Sequence, residues 1–166
     1  EIKSVEDVWN INFPPDYRQF LQLLGLPDRP MFSVRYSENV MVQSEKPSFY
    51  DWRKDTEAIK EALEWPLKGI LFDVERNDLW LESWGDRPSQ PEERQIRLSE
   101  LIHEAPPLIP IIGHRYLVGT PVESGNPVLS VWQSDIICFG SDFRNFLILE
   151  LSKLLKIDHT KIFQKA

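Results

Sequence analysis

Between residues 107 and 139 the chain is divided into short apolar segments by proline, glycine and asparagine, and this pattern constrains the fold more than any other feature. Pro106, Pro107 and Pro110 prevent a helix at the start of the region and favour extended chain. The apolar segments predict strands at 108–109, 111–112, 116–118, 128–132 and 136–139. Turns are predicted at 125–127 and 133–135, and strands joined by such short turns favour antiparallel pairing.

Helical periodicity lies on both sides of this region. The pattern is clear in residues 14–25, where Tyr17, Phe20, Leu21 and Leu24 recur at i, i+3, i+4 and i+7. Further helices are predicted at 4–9, 49–63, 95–104 and 143–155. Pro66 is expected to end the helix at 49–63, and Ser141 is the expected N-cap of the last helix. Residues 31–48 predict a strand pair or a loop.

Residues 67–84 change period and predict a hairpin. Segments 70–74 and 79–84 are expected to be strands, joined by a turn at 75–78. Trp80 and Trp84 would then face the same side of the second strand, exposed or in a cleft, unless they pack under a helix. Helices, then strands, then a helix, without βαβ alternation, favour an α+β domain with a largely antiparallel sheet. The length of 166 residues fits a single domain over 1–166.

Composition narrows the class of partner. The chain has 19 basic and 26 acidic residues, a net charge of −7, which argues against direct nucleic-acid binding and would attract a basic protein. No run of 18 apolar residues exists to cross a membrane, and no signal-peptide core opens the sequence, so the cytoplasm is the expected location. The single cysteine, Cys138, lies in an apolar run and is expected to be a buried small hydrophobe.

The chemical motifs are weak. The three histidines have no zinc-ligand spacing, although a metal site or a hydrolase centre built around His114 stays open as an alternative. Residues 73–78 resemble the opening of a calcium loop, but Asp78 stands where glycine is needed and Trp84 where glutamate is needed, so a turn is the better interpretation. No cofactor is expected. Residues 73–104 are locally acidic, with nine acids against four arginines.

Several segments together resemble the SUKH superfamily of Smi/Knr-type proteins. Residues 15–21 are similar to its opening P-x-x-Y-x-x-F-L helix, and residues 69–88 to a G-I-x-F-D-x-E-x-N-x-x-W…W-G-x-R-P segment of a bacterial branch. The remaining matching segments are 107–111, His114-Arg115-Tyr116, Gly125-Asn126-Pro127-Val128, 130–131, Gln133, 135–137 and the helix from Asp142. The resemblance covers roughly residues 14–155, which is the expected core of the domain.

The resemblance implies an α+β domain with a central, mostly antiparallel sheet flanked by helices. It also implies a binding module rather than an enzyme. Many bacterial members of the family look like immunity proteins that neutralise toxins, often nucleases, and fungal relatives act as regulatory scaffolds. We therefore expect an antitoxin that occludes a cognate toxin with a basic nuclease domain, or alternatively a scaffold for another cytoplasmic protein. The expected contact residues are Glu75, Asp78, Trp80, Trp84, His114, Arg115 and Tyr116, the acids meeting basic groups and the aromatic residues anchoring the partner.

Overall fold

The computed structural model describes residues 1–23 and 49–155. The strand pair or loop predicted at 31–48 and the histidine at 159 lie outside the described residues. The helices are α1 (Ile2–Trp9), α2 (Pro15–Leu23), α3 (Thr56–Arg76), α4 (Pro91–Glu104) and α5 (Phe143–Leu155), with a 3-10 turn at Glu82–Trp84. The strands are β1 (Leu108–Ile112), β2 (Arg115–Val118), β3 (Val128–Trp132) and β4 (Asp135–Gly140).

The strands form one antiparallel sheet in the order β1-β2-β3-β4, so the predicted α+β class is confirmed. Tyr116 pairs with Leu129 across β2 and β3, and Ser130 pairs with Ile137 across β3 and β4. The predicted strands between 108 and 139 are all present, because short alternating apolar segments joined by tight turns pair with their neighbours.

Helices cover both faces of the sheet. On one face the buried hydroxyl of Tyr116 donates a hydrogen bond of 2.8 Å to the carbonyl of Ala62 on α3. The next residue, Leu117, belongs to the core on the other face, together with Phe143 and Phe146 of α5. This second face also holds an aromatic cluster from α2 and from the segments that precede α2 and α3: Phe13, Tyr17, Phe20, Phe49 and Trp52.

Helix α3 corrects three expectations. It continues through Pro66. It also includes 70–74, which were expected to be a strand, and the first half of 75–78, which were expected to be a turn. A short apolar run fits a buried helix as well as a strand, and burial decides between them. The buried residues of α3 recur at helical spacing: Ile59, Ala62, Gly69, Asp73 and Val74.

The expectation of a strand at 79–84 is also wrong. These residues form an extended segment followed by the 3-10 turn, so Trp80 and Trp84 are not positioned by strand alternation. Cys138 is exposed rather than buried, because β4 lies at an edge of the sheet. The cap of α5 is Asp142 and not Ser141, since the backbone N–H of Asn145 donates to the Asp142 carboxylate at 2.7 Å.

No helix in the described part of the chain is both long enough and apolar enough to span a membrane.

Candidate functional site

The segment 69–77, which the sequence singles out, forms a docking face between α3 and the β3–β4 turn. The side chain of Asp73 is buried and accepts hydrogen bonds from the backbone N–H and the hydroxyl of Ser134, at 2.9 and 2.6 Å. Asn77 donates to the other carboxylate oxygen at 2.6 Å. These donors hold the pKa of Asp73 below its ordinary value. A Cβ at Gly69 would lie 2.8 Å from Cα of Gln133, so only glycine permits this approach. The motif therefore positions the hairpin.

The predicted acidic contacts, Glu75 and Asp78, are already paired within the chain. Glu75 makes a bidentate ion pair with Arg94 of α4, at 2.6 and 2.7 Å, and this guanidinium lowers the pKa of Glu75. Arg87 pairs with Asp78 and donates a second hydrogen bond of 2.7 Å to the carbonyl of Val74. The two acids thus fasten α4 and the preceding loop to α3.

Trp80 and Trp84 complete the same loop. Their rings meet edge to face with centroids 5.4 Å apart, and both side chains are half-buried. The indole N–H of Trp80 donates to the carbonyl of Gly85 at 2.7 Å, and Arg97 of α4 donates to the carbonyl of Trp84 at 3.2 Å. The pair stabilises the 77–90 loop against α4.

The other predicted contacts, His114, Arg115 and Tyr116, point to different environments. Tyr116 is only 1% exposed and its hydroxyl is already bonded to α3, so this residue supports the sheet from within and cannot contact a partner directly. The guanidinium of Arg115 lies 3.9 Å from the centre of the Phe139 ring and donates to the hydroxyl of Ser130. His114 is half-buried and lines an open groove.

This aromatic groove lies between α3 and the ends of β2 and β3 and has a volume of 290 Å³. Its lining residues are Tyr50, Ala58, Glu61, Ala62, Trp65, Gly113, His114, Tyr116 and Trp132. The rings of Trp65 and Trp132 are 5.5 Å apart, and the His114 ring lies 6.0 Å from Trp132. Trp132 is 53% exposed, so much of its indole surface is open to a binding partner.

Hydrogen bonds fix the other aromatic walls of the groove. The indole N–H of Trp65 donates to the carbonyl of Val131 at 3.4 Å, and the Tyr50 hydroxyl donates to the carbonyl of Gly113 at 3.2 Å. Because one donor is bonded to the backbone of β3 and the other to the backbone of the β1–β2 turn, the walls are preorganised for a ligand.

The electrostatics of the groove are simple. Burial and the neighbouring charge of Arg115 lower the pKa of His114, so its ring is neutral at pH 7. Burial and the charge of Glu61 raise the pKa of Tyr50, so its phenol is neutral as well. The exposed Glu61 carboxylate is then the only formal charge on the lining residues.

The groove presents aromatic faces, the His114 imidazole and the Glu61 carboxylate. Its lining contains no serine, threonine or cysteine. In the described residues no three histidine, cysteine, aspartate or glutamate side chains come together in a way that could hold a metal ion.

Sequence reasoning missed most of the aromatic groove. It selected His114 and Tyr116 but not Tyr50, Glu61, Trp65 or Trp132. A partial signal exists, since Glu61 and Trp65 are four residues apart and share one face of α3. Their meeting with Trp132, 67 positions further along from Trp65, depends on how α3 docks on the sheet.

A second surface feature adjoins the groove through the β3–β4 hairpin. Ile136 and Ile137 are 46% and 53% exposed on β4, close to Trp132 at the end of β3. Ile136 pairs with Val131 and Ile137 with Ser130, so the two isoleucine side chains lie on opposite faces of β4. The hairpin therefore exposes large apolar side chains on both of its faces, and exposed apolar side chains of this kind mark protein-binding sites.

Comparison with known proteins does not assign the chain to a family. No family model matches the sequence. No solved structure matches it either. The protein named Large subunit GTPase 1 homolog, from Danio rerio, is 41% identical over 64 residues, which is 38% of this chain and 9% of that protein. The chain thus spans a small fraction of the length of this relative, and the similarity does not show a family.

Proposed function

We propose that the protein is a bacterial cytoplasmic immunity protein that binds a cognate toxin, expected to be a nuclease, and neutralises it by occlusion. The observation that carries the proposal is the set of large apolar side chains exposed along the β3–β4 hairpin, where Trp132, Ile136 and Ile137 are each about half exposed. The resemblance to Smi/Knr-type proteins supports the same reading.

We place the contact surface on this hairpin and the adjoining aromatic groove. Glu75 and Asp78 are engaged by arginines of the same chain, so their charges are already compensated. Among the expected contact residues, His114 lines the groove without being buried. Aromatic side chains beside a charged rim are typical of the anchors that dominate protein interfaces.

The mechanism would need no turnover. A net charge of −7 would speed encounter with a basic toxin, and burial of the indole and isoleucine side chains would slow dissociation. Neutralisation then follows from a complex that covers the toxin's active surface for longer than the toxin needs to act.

The test is a tagged pull-down from host extract at low and high salt, with two matched variants. Ile137→Asp places a charge on the hairpin, whereas Ile96→Asp makes the same change at a 61%-exposed isoleucine on α4. We expect one stoichiometric, basic partner that is retained by Ile96→Asp and lost by Ile137→Asp. Co-expression should then protect growing cells against that partner.

One outcome would contradict the proposed function, and another would contradict the proposed contact surface. Several substoichiometric regulatory proteins without toxic activity would favour the scaffold alternative. Equal retention of a toxin by both variants would leave immunity in place but would move the contact surface away from the hairpin.

A further inference from the structure

The size of the aromatic groove limits what can occupy it. Its volume of 290 Å³ falls just below the range of about 300–1,000 Å³ typical of small-molecule sites. An occupant of about the size of one long side chain therefore fits better than a nucleotide or a folded segment. The groove also adjoins the exposed hairpin, so a protein that covers the hairpin could insert one side chain.

The negative charge in the groove favours a positively charged occupant. Glu61 makes no ion pair with any residue in the described ranges, whereas two other acids of α3 are neutralised locally, Glu57 by Lys60 and Glu64 by Lys68. The neutral His114 ring does not oppose a positive charge. An unpaired carboxylate beside open aromatic rings is a site for a cation.

The flat aromatic walls of the groove favour a guanidinium group over an ammonium group. Trp65 and Trp132 present flat surfaces, and Trp132 is largely open. A guanidinium group is planar and weakly hydrated, and it stacks on indole while donating hydrogen bonds to a carboxylate at its edge. The compact, strongly hydrated ammonium group of lysine gains less from such walls.

We infer that the aromatic groove receives the guanidinium group of one arginine side chain on the partner protein, stacked on Trp132 and hydrogen-bonded to Glu61. The inference deepens the proposed function, because the arginine would be an anchor of the toxin. The recognition chemistry itself does not depend on what that partner does.

The experiment titrates the full chain with a short blocked peptide, acetyl-Gly-Arg-Gly-amide, and follows the six tryptophan indole N–H signals by NMR. The control peptide carries citrulline, which has nearly the same shape without the charge, and a third peptide carries lysine. We expect the arginine peptide to bind with a dissociation constant on the order of 1 mM, with the signals of Trp65 and Trp132 shifting most. Citrulline should bind at least about tenfold more weakly and lysine about threefold more weakly.

Three variants locate the site. Glu61→Gln should weaken binding about threefold to fivefold, since the carboxylate is exposed to solvent. Trp132→Ala should weaken binding about fivefold. Glu64→Gln removes one negative charge from the next turn of the same helix but lies outside the groove, so it should bind like the original protein.

Failure of the arginine peptide to shift the Trp65 and Trp132 signals would overturn the inference. Equal binding of citrulline or lysine, or an equal loss in Glu64→Gln, would also overturn it. If a toxin is captured and neutralised while the peptide does not bind, the inference alone fails. If the peptide binds as expected but no toxin is neutralised, the proposed function fails and the arginine site stands.

Discussion

Tyr116 compensates for a defect that Pro66 introduces into α3. Proline has no backbone N–H, so the carbonyl of Ala62, four residues earlier, loses its helical partner. The Tyr116 hydroxyl donates to this carbonyl at 2.8 Å, and the contact is buried. Tyr116→Phe keeps the ring and removes only the donor, which leaves a buried acceptor unsatisfied. We expect a loss of about 2 kcal/mol in the free energy of unfolding, within the range of about 1–3 kcal/mol for such groups.

A double-mutant cycle with Pro66→Ala tests this reason directly. Alanine restores an N–H that can donate to the Ala62 carbonyl, so the cost of Tyr116→Phe should fall by about 1 kcal/mol in that background. Urea unfolding of the four proteins measures the cycle. In a chain of this length, a loss of about 2 kcal/mol should also lower the melting temperature by about 4–8 °C.

Tyr17→Phe is the matched control for this cycle. It also removes a buried hydroxyl, which accepts a hydrogen bond of 2.9 Å from the Trp52 indole in the core on the opposite face of the sheet. Its cost should be additive with Pro66→Ala to within about 0.5 kcal/mol. If Tyr116→Phe costs the same with proline or alanine at position 66, the compensation argument is refuted.

Three further predictions concern other contacts. Gly69→Ala should lower the free energy of unfolding by about 1 kcal/mol. The clash with the Gln133 backbone costs about 1–3 kcal/mol, which outweighs a gain of about 1 kcal/mol in helix propensity. A variant that is more stable in urea unfolding would refute this prediction. Arg18→Ala leaves the buried Glu6 carboxylate unpaired and should cost about 3 kcal/mol by thermal unfolding, whereas Lys3→Ala should cost far less. The pKa of His114 is lowered in the folded state, so the unfolded chain binds more protons and the free energy of unfolding falls as pH drops below 6.5. His114→Gln should flatten this fall between pH 5 and 7. An unchanged pH profile of stability would contradict the prediction.

Much of the fold could be predicted from local pattern. The strands between 108 and 139, the helix at Pro15–Leu23 and the final helix follow from apolar periodicity and turn residues, which depend on neighbours a few positions away. The expectation failed at 70–84, where an apolar run before a charged segment was compatible with both a strand and a helix. Docking against the β3–β4 turn and against α4 decided for the helix, and these contacts span many positions of the chain.

The candidate site shows the same division. The sequence alone identified a net acidic chain and selected His114 and Tyr116 among the residues of the groove. It also determined the spacing of Gly69 and Asp73, which contact the β3–β4 turn. It could not show that Glu75 and Asp78 form ion pairs with arginines of the same chain, or that Tyr116 is buried. Nor could it show that Trp65, Trp132 and Glu61 line one groove. Local pattern encodes which elements form because their backbone preferences and apolar spacing are short-range. Which side chains remain open to a partner was decided only by tertiary packing, since burial and ion pairing depend on the elements that come to lie alongside.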